Sequence, residues 1–143
     1  TDDLVDATRY VVESIPWVYY LEENSEFEDD KVGKWMYFFK DKKVAAEKCE
    51  NAVKDRIVTQ AKHSKAETGV ACFYLNCDDI DAHKKVISYF IKNNMITKTA
   101  KDRFYNIPFK LDQQTRRGEY GETFKSEITL DKFIDLDSGE WLI

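Results

Sequence analysis

Residues 34–40, with the sequence KWMYFFK, constrain the fold of this chain more than any other segment. Four of these residues are aromatic, and ring side chains favour an extended strand because they pack well on a pleated sheet. Apolar side chains also fall on both faces of such a strand. We therefore predict that residues 34–40 form a central strand of a sheet.

The rest of the chain alternates between helical and extended patterns. Apolar residues at helical spacing predict helices over residues 4–15, 42–58 and 81–94. Strands are predicted at residues 17–21, 61–67, 70–75, 103–111 and 125–130, and the chain ends on an apolar patch at 140–143. Pro108 places its strand at an edge or a bulge, because proline has no N–H to donate.

The predicted strands occur in adjacent pairs, which favours hairpins over a doubly wound parallel sheet. We therefore expect a single α+β domain over residues 1–143. Its sheet should be curved and largely antiparallel, with about three helices packed on one face.

Charge and cysteine content exclude some functions. The net charge is −5, which argues against non-specific binding to duplex DNA. Three cysteines, an odd number, fit reduced thiols and a cytoplasmic protein, and no apolar run is long enough to span a membrane. No standard catalytic, cofactor or metal-binding motif occurs, so no cofactor or metal is expected.

The segment 115–121, TRRGEYG, is the strongest candidate for binding an anion. Arg116 and Arg117 stand beside a glycine, and guanidinium forks with backbone N–H groups suit a phosphate. Tyr120 can stack on a base. The alternative is a solvated loop whose arginines pair with the abundant acidic residues.

A second cluster, Lys62-His63-Ser64-Lys65, is polar and basic between apolar elements. On a strand, Lys62 and Ser64 would face one way, and His63 and Lys65 the other. Phosphate binding or acid–base chemistry is one use for such residues. The other is an exposed edge strand whose lysines deter pairing with further strands.

The three tryptophans are a third candidate. Trp17, Trp35 and Trp141 could form an aromatic slot for a purine or a cation, or could pack in the core. Trp35 lies inside the aromatic strand, so Trp17 and Trp141 are the better ligand candidates.

Several of these segments together resemble the phosphothreonine lyase domain family, an uncharacterised group. The resemblance rests on residues 34–36 (KWM), 61–64 (AKHS), 72–74 (CFY) and, most specifically, 107–121 (IPFKLDQQTRRGEYG). It covers most of residues 17–143. That family is assigned a fold like the cap-binding translation initiation factor, a curved antiparallel sheet backed by helices.

This resemblance also implies ligand chemistry. Cap-binding factors hold a methylated guanine between two tryptophans and grip its phosphates with Arg and Lys. Phosphothreonine lyases use a Lys base and a His acid in a phosphate site.

Our leading hypothesis is a binding module for a phosphate-bearing ligand, either a nucleotide or a short single-stranded RNA. Arg116 and Arg117 would bind phosphate, Lys62, His63 and Lys110 would assist, and Tyr120 or Trp17 would stack. A second hypothesis is an interaction or inhibitor protein whose acidic segment 22–30 binds a basic protein partner, such as a nucleic-acid enzyme. A third is an enzyme acting on phosphate esters, with Lys62 or His63 as acid or base.

Overall fold

The computed structural model describes residues 9–23, 25–116 and 127–143. Their strands are β1 (Arg9–Glu13), β2 (Trp17–Glu22), β3 (Val32–Phe39), β4 (Gln60–Ser64), β5 (Gly69–Asn76) and β6 (Phe109–Leu111). Their helices are α1 (Lys42–Lys54), α2 (Ile80–Lys92) and the short α3 (Asp112–Arg116), with a 3-10 turn at Leu130–Lys132. None of these helices is long and apolar enough to cross a membrane.

The six strands form one sheet in the order β1-β2-β4-β5-β3-β6, and every pair is antiparallel. This confirms the predicted α+β fold with a curved antiparallel sheet. The aromatic strand β3 lies inside the sheet between β5 and β6, as its apolar residues on both faces predicted.

The prediction of a helix over residues 4–15 is wrong for the residues that the structure describes. Arg9–Glu13 is instead an edge strand that pairs with β2 after a turn in which the Ser14 N–H donates to the Trp17 carbonyl. Tyr10, Val11 and Val12 carry ring or β-branched side chains, which favour extended backbone. Their apolar spacing fits a helix equally well, so pairing with β2 decides the outcome.

The predicted strands near the end of the chain are also shorter or missing. Within residues 103–111, the last three form β6. This strand lies at the edge of the sheet, which is the position that Pro108 predicted. The Phe104 and Tyr105 N–H groups donate instead to the Leu136 and Thr97 carbonyls. The predicted strand 125–130 lies partly outside the described residues, and its described part forms one bridge, from Thr129 to Pro108, before the 3-10 turn.

The two long helices, α1 and α2, pack on one face of the sheet. Asp41 and Asp79 cap them by accepting hydrogen bonds from the Lys43 and Ala82 N–H groups. The core between helices and sheet contains large, fully buried side chains: Trp35, Phe73, Ile87, Phe90 and Phe109. The predicted helix 42–58 ends earlier, at Lys54, where the chain turns toward β4.

Trp35 is held in this core by a hydrogen bond as well as by packing. Its indole Nε1–H donates to Nδ1 of the buried His83 over 3.0 Å. His83 Nε2 therefore carries the proton and donates to the Cys77 carbonyl over 2.8 Å. Both ring nitrogens are used, so His83 is neutral, and burial lowers its pKa.

We expect the stability of the protein to fall as the pH drops below 6.5, the ordinary pKa of histidine. Because burial lowers the pKa of folded His83, the unfolded chain binds the proton more readily. The slope from this group can reach about 1.4 kcal/mol per pH unit. Urea unfolding measured between about pH 4.5 and 7 should show this loss of stability. Most carboxylates titrate below that range, so they contribute little to the slope.

The matched control is His83→Gln, whose amide can accept and donate but does not titrate. Its stability should be lower at pH 7 but flatter across the same pH range. If its slope matched that of the natural chain, the acid sensitivity would belong to other groups.

Candidate anion-binding site

Three lysines lie on the face of the sheet that is turned away from α1 and α2. Lys34 of β3 is directly opposite both Lys110 of β6 and Tyr74 of β5. Lys62 of β4 is opposite Cys72 of β5, two residues from Tyr74 and hence on the same face. We call this set the lysine face: Trp17, Tyr19, Lys34, Lys62, Cys72, Tyr74 and Lys110.

Two of these lysines are buried to an unusual degree, since Lys34 and Lys110 are each 6% exposed. The Lys34 ammonium donates to a carboxylate oxygen of Asp112 over 2.8 Å and to the Thr115 hydroxyl over 2.9 Å. Both partners belong to α3, which directly follows β6. A buried ammonium is costly without partners, so α3 provides part of what holds Lys34 in place.

Lys62 has a different environment, formed by aromatic rings. Its Nζ lies 3.9 Å from the ring centroid of Trp17, 5.6 Å from that of Tyr19 and 5.7 Å from that of Tyr74. These distances are within the range of cation–π attraction. Within the described parts of the chain, the side chain of Lys62 makes no hydrogen bond or ion pair.

The lysine face concentrates three lysines in a chain that is acidic as a whole, and the carboxylate of Asp112 pairs with one of them, Lys34. Burial raises the pKa of the Cys72 thiol to about 11 and also raises the pKa of Tyr74, so both remain uncharged at neutral pH. Burial is also the largest cause of a lowered pKa at Lys62, and the nearby Lys34 acts in the same direction. Lysine charges with aromatic rings beside them form a surface suited to an anion that carries a planar group.

The structure brings together three of the residues predicted from the sequence, namely Lys62, Lys110 and Trp17. His63 is not among them, because it points to the opposite face, as alternation along β4 predicted. Its Nε2 contacts the Tyr20 hydroxyl at 3.3 Å and its Nδ1 contacts the Ser64 carbonyl at 2.9 Å. His63 lines a cavity of about 360 Å³ beside α1. Because Lys62 lies on the opposite face of the sheet, the two side chains cannot contact the same ligand.

The arginine cluster is placed only in part. Arg116 is the last residue of α3 and directly follows Thr115, the residue that contacts Lys34. The side chain of Arg116 lies outside the described residues, as do Arg117 and Tyr120. Their predicted roles therefore remain predictions, although the chain enters this cluster from the lysine face.

The three tryptophans do not form a common slot. Trp35 is fully buried among the rings of Phe109, Phe133 and His83, on the helix side of the sheet. Trp17 belongs to the opposite, lysine face. Trp141 is 41% exposed near the end of the chain, with the Lys84 Nζ 6.0 Å from its ring.

Lys34, Tyr19 and Tyr74 belong to the site but were not predicted from the sequence. Lys34 is the first residue of the aromatic segment 34–40. The signal that could have identified it is its position beside Trp35, which must face the core and so directs Lys34 to the other side. Tyr19 and Tyr74 lie in apolar strands and give no separate signal.

One residue of the acidic segment 22–30, Glu28, forms an ion pair with the lysine that follows the segment. The Lys31 ammonium contacts carboxylate oxygens of Asp78 at 2.8 Å and of Glu28 at 3.3 Å. These pairs are exposed and contribute little to stability.

No protein-family model matches the chain. No curated protein is similar to it at a significant level.

Proposed function

We propose that the chain is a binding module whose lysine face holds a phosphate-bearing ligand, either a nucleotide or a short single-stranded RNA. The observation that carries this proposal is the placement of Lys34 and Lys110 side by side at 6% exposure, on the same face of the sheet as Lys62, in a chain of net charge −5. Burying lysines costs stability. Clustered ammonium groups offer an anion several charge-assisted hydrogen bonds in return.

The aromatic residues of the lysine face support a nucleotide over a simple anion. Trp17 and Tyr19 belong to β2, and Tyr74 to β5, so their rings flank Lys62 on both sides. Stacking of a base on a side-chain ring is worth roughly 1–3 kcal/mol and depends little on sequence.

Lys62 is the residue best suited to test this proposal, because its side chain makes no hydrogen bond or ion pair with the described residues, so replacing it breaks none. We expect Lys62→Met to weaken binding of the ligand about tenfold, since a hydrogen bond to a charged group contributes about 1.5–3 kcal/mol. Methionine keeps an unbranched apolar stem against Trp17. The matched control is Lys92→Met, an exposed position on α2 at the other side of the sheet.

The measurement is thermal denaturation against mononucleotides, dinucleotides, cap analogues, short RNAs and pyrophosphate. A ligand at a hundredfold excess over its Kd stabilises the native state by roughly 2.7 kcal/mol. A shift that Lys62→Met reduces and Lys92→Met preserves would support the lysine face as the site. An equal response of both variants would place the site elsewhere. No shift with any ligand would favour a protein partner instead.

A further inference from the structure

We propose that the amine of Lys62 forms an imine with ligands that carry both a phosphate and an aldehyde or ketone carbonyl. The lysine face would then hold such a ligand covalently as well as by charge. This inference rests on the proposed function, because the neighbouring lysines are the groups that would bind the phosphate.

The first observation is the contrast between Lys62 and Lys34. Lys34 donates to Asp112 and Thr115 and is a fixed ammonium. Lys62 has neither a carboxylate nor a hydroxyl partner in the described residues, and its Nζ is surrounded by the rings of Trp17, Tyr19 and Tyr74. An amine in such a setting can lose its proton without breaking a hydrogen bond or an ion pair.

The second observation is the charge around Lys62. Desolvation and a neighbouring cation are the two conditions that make a lysine nucleophilic in Schiff-base chemistry. Burial and Lys34 both lower the pKa of Lys62, while Asp112 and Cys72 act in the opposite direction. Cys72 is a neutral thiol at pH 7, because burial raises its pKa to about 11. Attraction to the rings favours the ammonium form, so the rings act with Asp112 and Cys72 against the effect of burial and Lys34.

The reaction balances without an oxidant or reductant. The nitrogen lone pair of neutral Lys62 attacks the carbonyl carbon, and a proton moves from nitrogen to the carbonyl oxygen to give a carbinolamine. The hydroxyl then leaves as water together with the second proton of the nitrogen, and the nitrogen lone pair forms the carbon–nitrogen double bond. Amine and carbonyl are thus converted into imine and water.

The geometry also explains why the carbonyl compound should be phosphorylated. Lys62 and Lys34 lie on strands separated by β5, hence roughly 10 Å apart across the sheet. Lysine side chains are long enough to converge from that spacing, and Lys34 is close enough to affect the pKa of Lys62. A ligand of a few atoms can therefore place its phosphate at Lys34 and Lys110 and its carbonyl at Lys62.

The test uses pyridoxal 5′-phosphate as the probe, with borohydride to trap the imine and mass spectrometry of proteolytic peptides to locate it. We expect Lys62 to be the main modified residue in the natural chain. Pyridoxal, which lacks the phosphate, should give an adduct yield at Lys62 that is lower by about tenfold or more. Label spread evenly over exposed lysines would overturn the proposal. This measurement uses the natural chain, so it does not depend on whether a variant folds.

Two variants test whether the adduct forms at Lys62. Lys62→Arg keeps the positive charge but cannot form an imine, so the main adduct should disappear. Lys92→Arg should leave the Lys62 adduct unchanged. An adduct yield that Lys62→Arg does not reduce would overturn the proposal.

The same data separate this inference from the proposed function. If pyrophosphate stabilises the protein but no adduct forms at Lys62, the imine is wrong and phosphate binding stands. If the Lys62 adduct forms with equal yield from pyridoxal and its phosphate, and pyrophosphate does not compete, the phosphate site is wrong.

Discussion

Replacing Trp35 by alanine should lower the free energy of unfolding by about 3–5 kcal/mol, the range measured for large aromatic residues in protein cores. The ring is fully buried and contacts Phe109, Phe133 and His83. Its removal leaves a cavity and also leaves Nδ1 of His83 without a donor. Because domains of this size are stable by only about 5–15 kcal/mol, this change would remove a large part of the free energy of unfolding.

Two further variants test this explanation by urea unfolding. Trp35→Phe fills most of the space but removes the hydrogen bond, so we expect a smaller loss, about 1–3 kcal/mol. Trp141→Ala removes a tryptophan that is 41% exposed and should cost far less than Trp35→Ala. Similar losses for Trp35→Ala and Trp141→Ala would mean that the core does not depend on Trp35.

The double variant Arg116→Ala/Arg117→Ala should weaken binding of a phosphate ligand about a hundredfold or more, because each charged contact contributes about 1.5–3 kcal/mol. We expect its melting temperature without ligand to change little. The reason for expecting a role is that Thr115, one residue earlier, already contacts Lys34 of the lysine face.

The matched control for this pair is Lys98→Ala/Arg103→Ala, which also removes two cations. Both residues are about half exposed and lie in exposed ion pairs, with Asp102 and Asp137. Binding should be unaffected by this control beyond a small salt-dependent change. If the arginine double variant unfolds without ligand, Arg116 and Arg117 are structural, and the lysine face must be tested through Lys62 alone.

How far the sequence predicts this fold depends on how distinctive each local pattern is. The aromatic strand β3 and the helices α1 and α2 are predicted because their patterns are long and regular. β1 is not, because five residues with apolar spacing fit a helix or a strand, and pairing with β2 is what selects the strand. β6 is shortened because Pro108 and the residues before it bond to other loops.

The candidate site, like the fold, could be predicted from the sequence only in part. Alternation along β4 was sufficient to place Lys62 and His63 on opposite faces. The meeting of Lys34 with Lys110 could not be predicted, because it depends on the register between strands that are far apart in the chain. The identity of the neighbours of Lys62 depends on the strand order, which single-sequence patterns do not contain.

The alternation of side chains along β3, β4 and β5 has a consequence for how this protein can change over generations. Trp35, Phe73 and Ala61 face the helices, whereas Lys34, Lys62 and Cys72 face the other way. Because successive side chains of a strand point to opposite faces of the sheet, the two sets pack against different neighbours and can vary almost independently. Substitutions at Trp17, Tyr19 or Lys62 could thus change which ligand is preferred while the helix-side core continues to specify the fold.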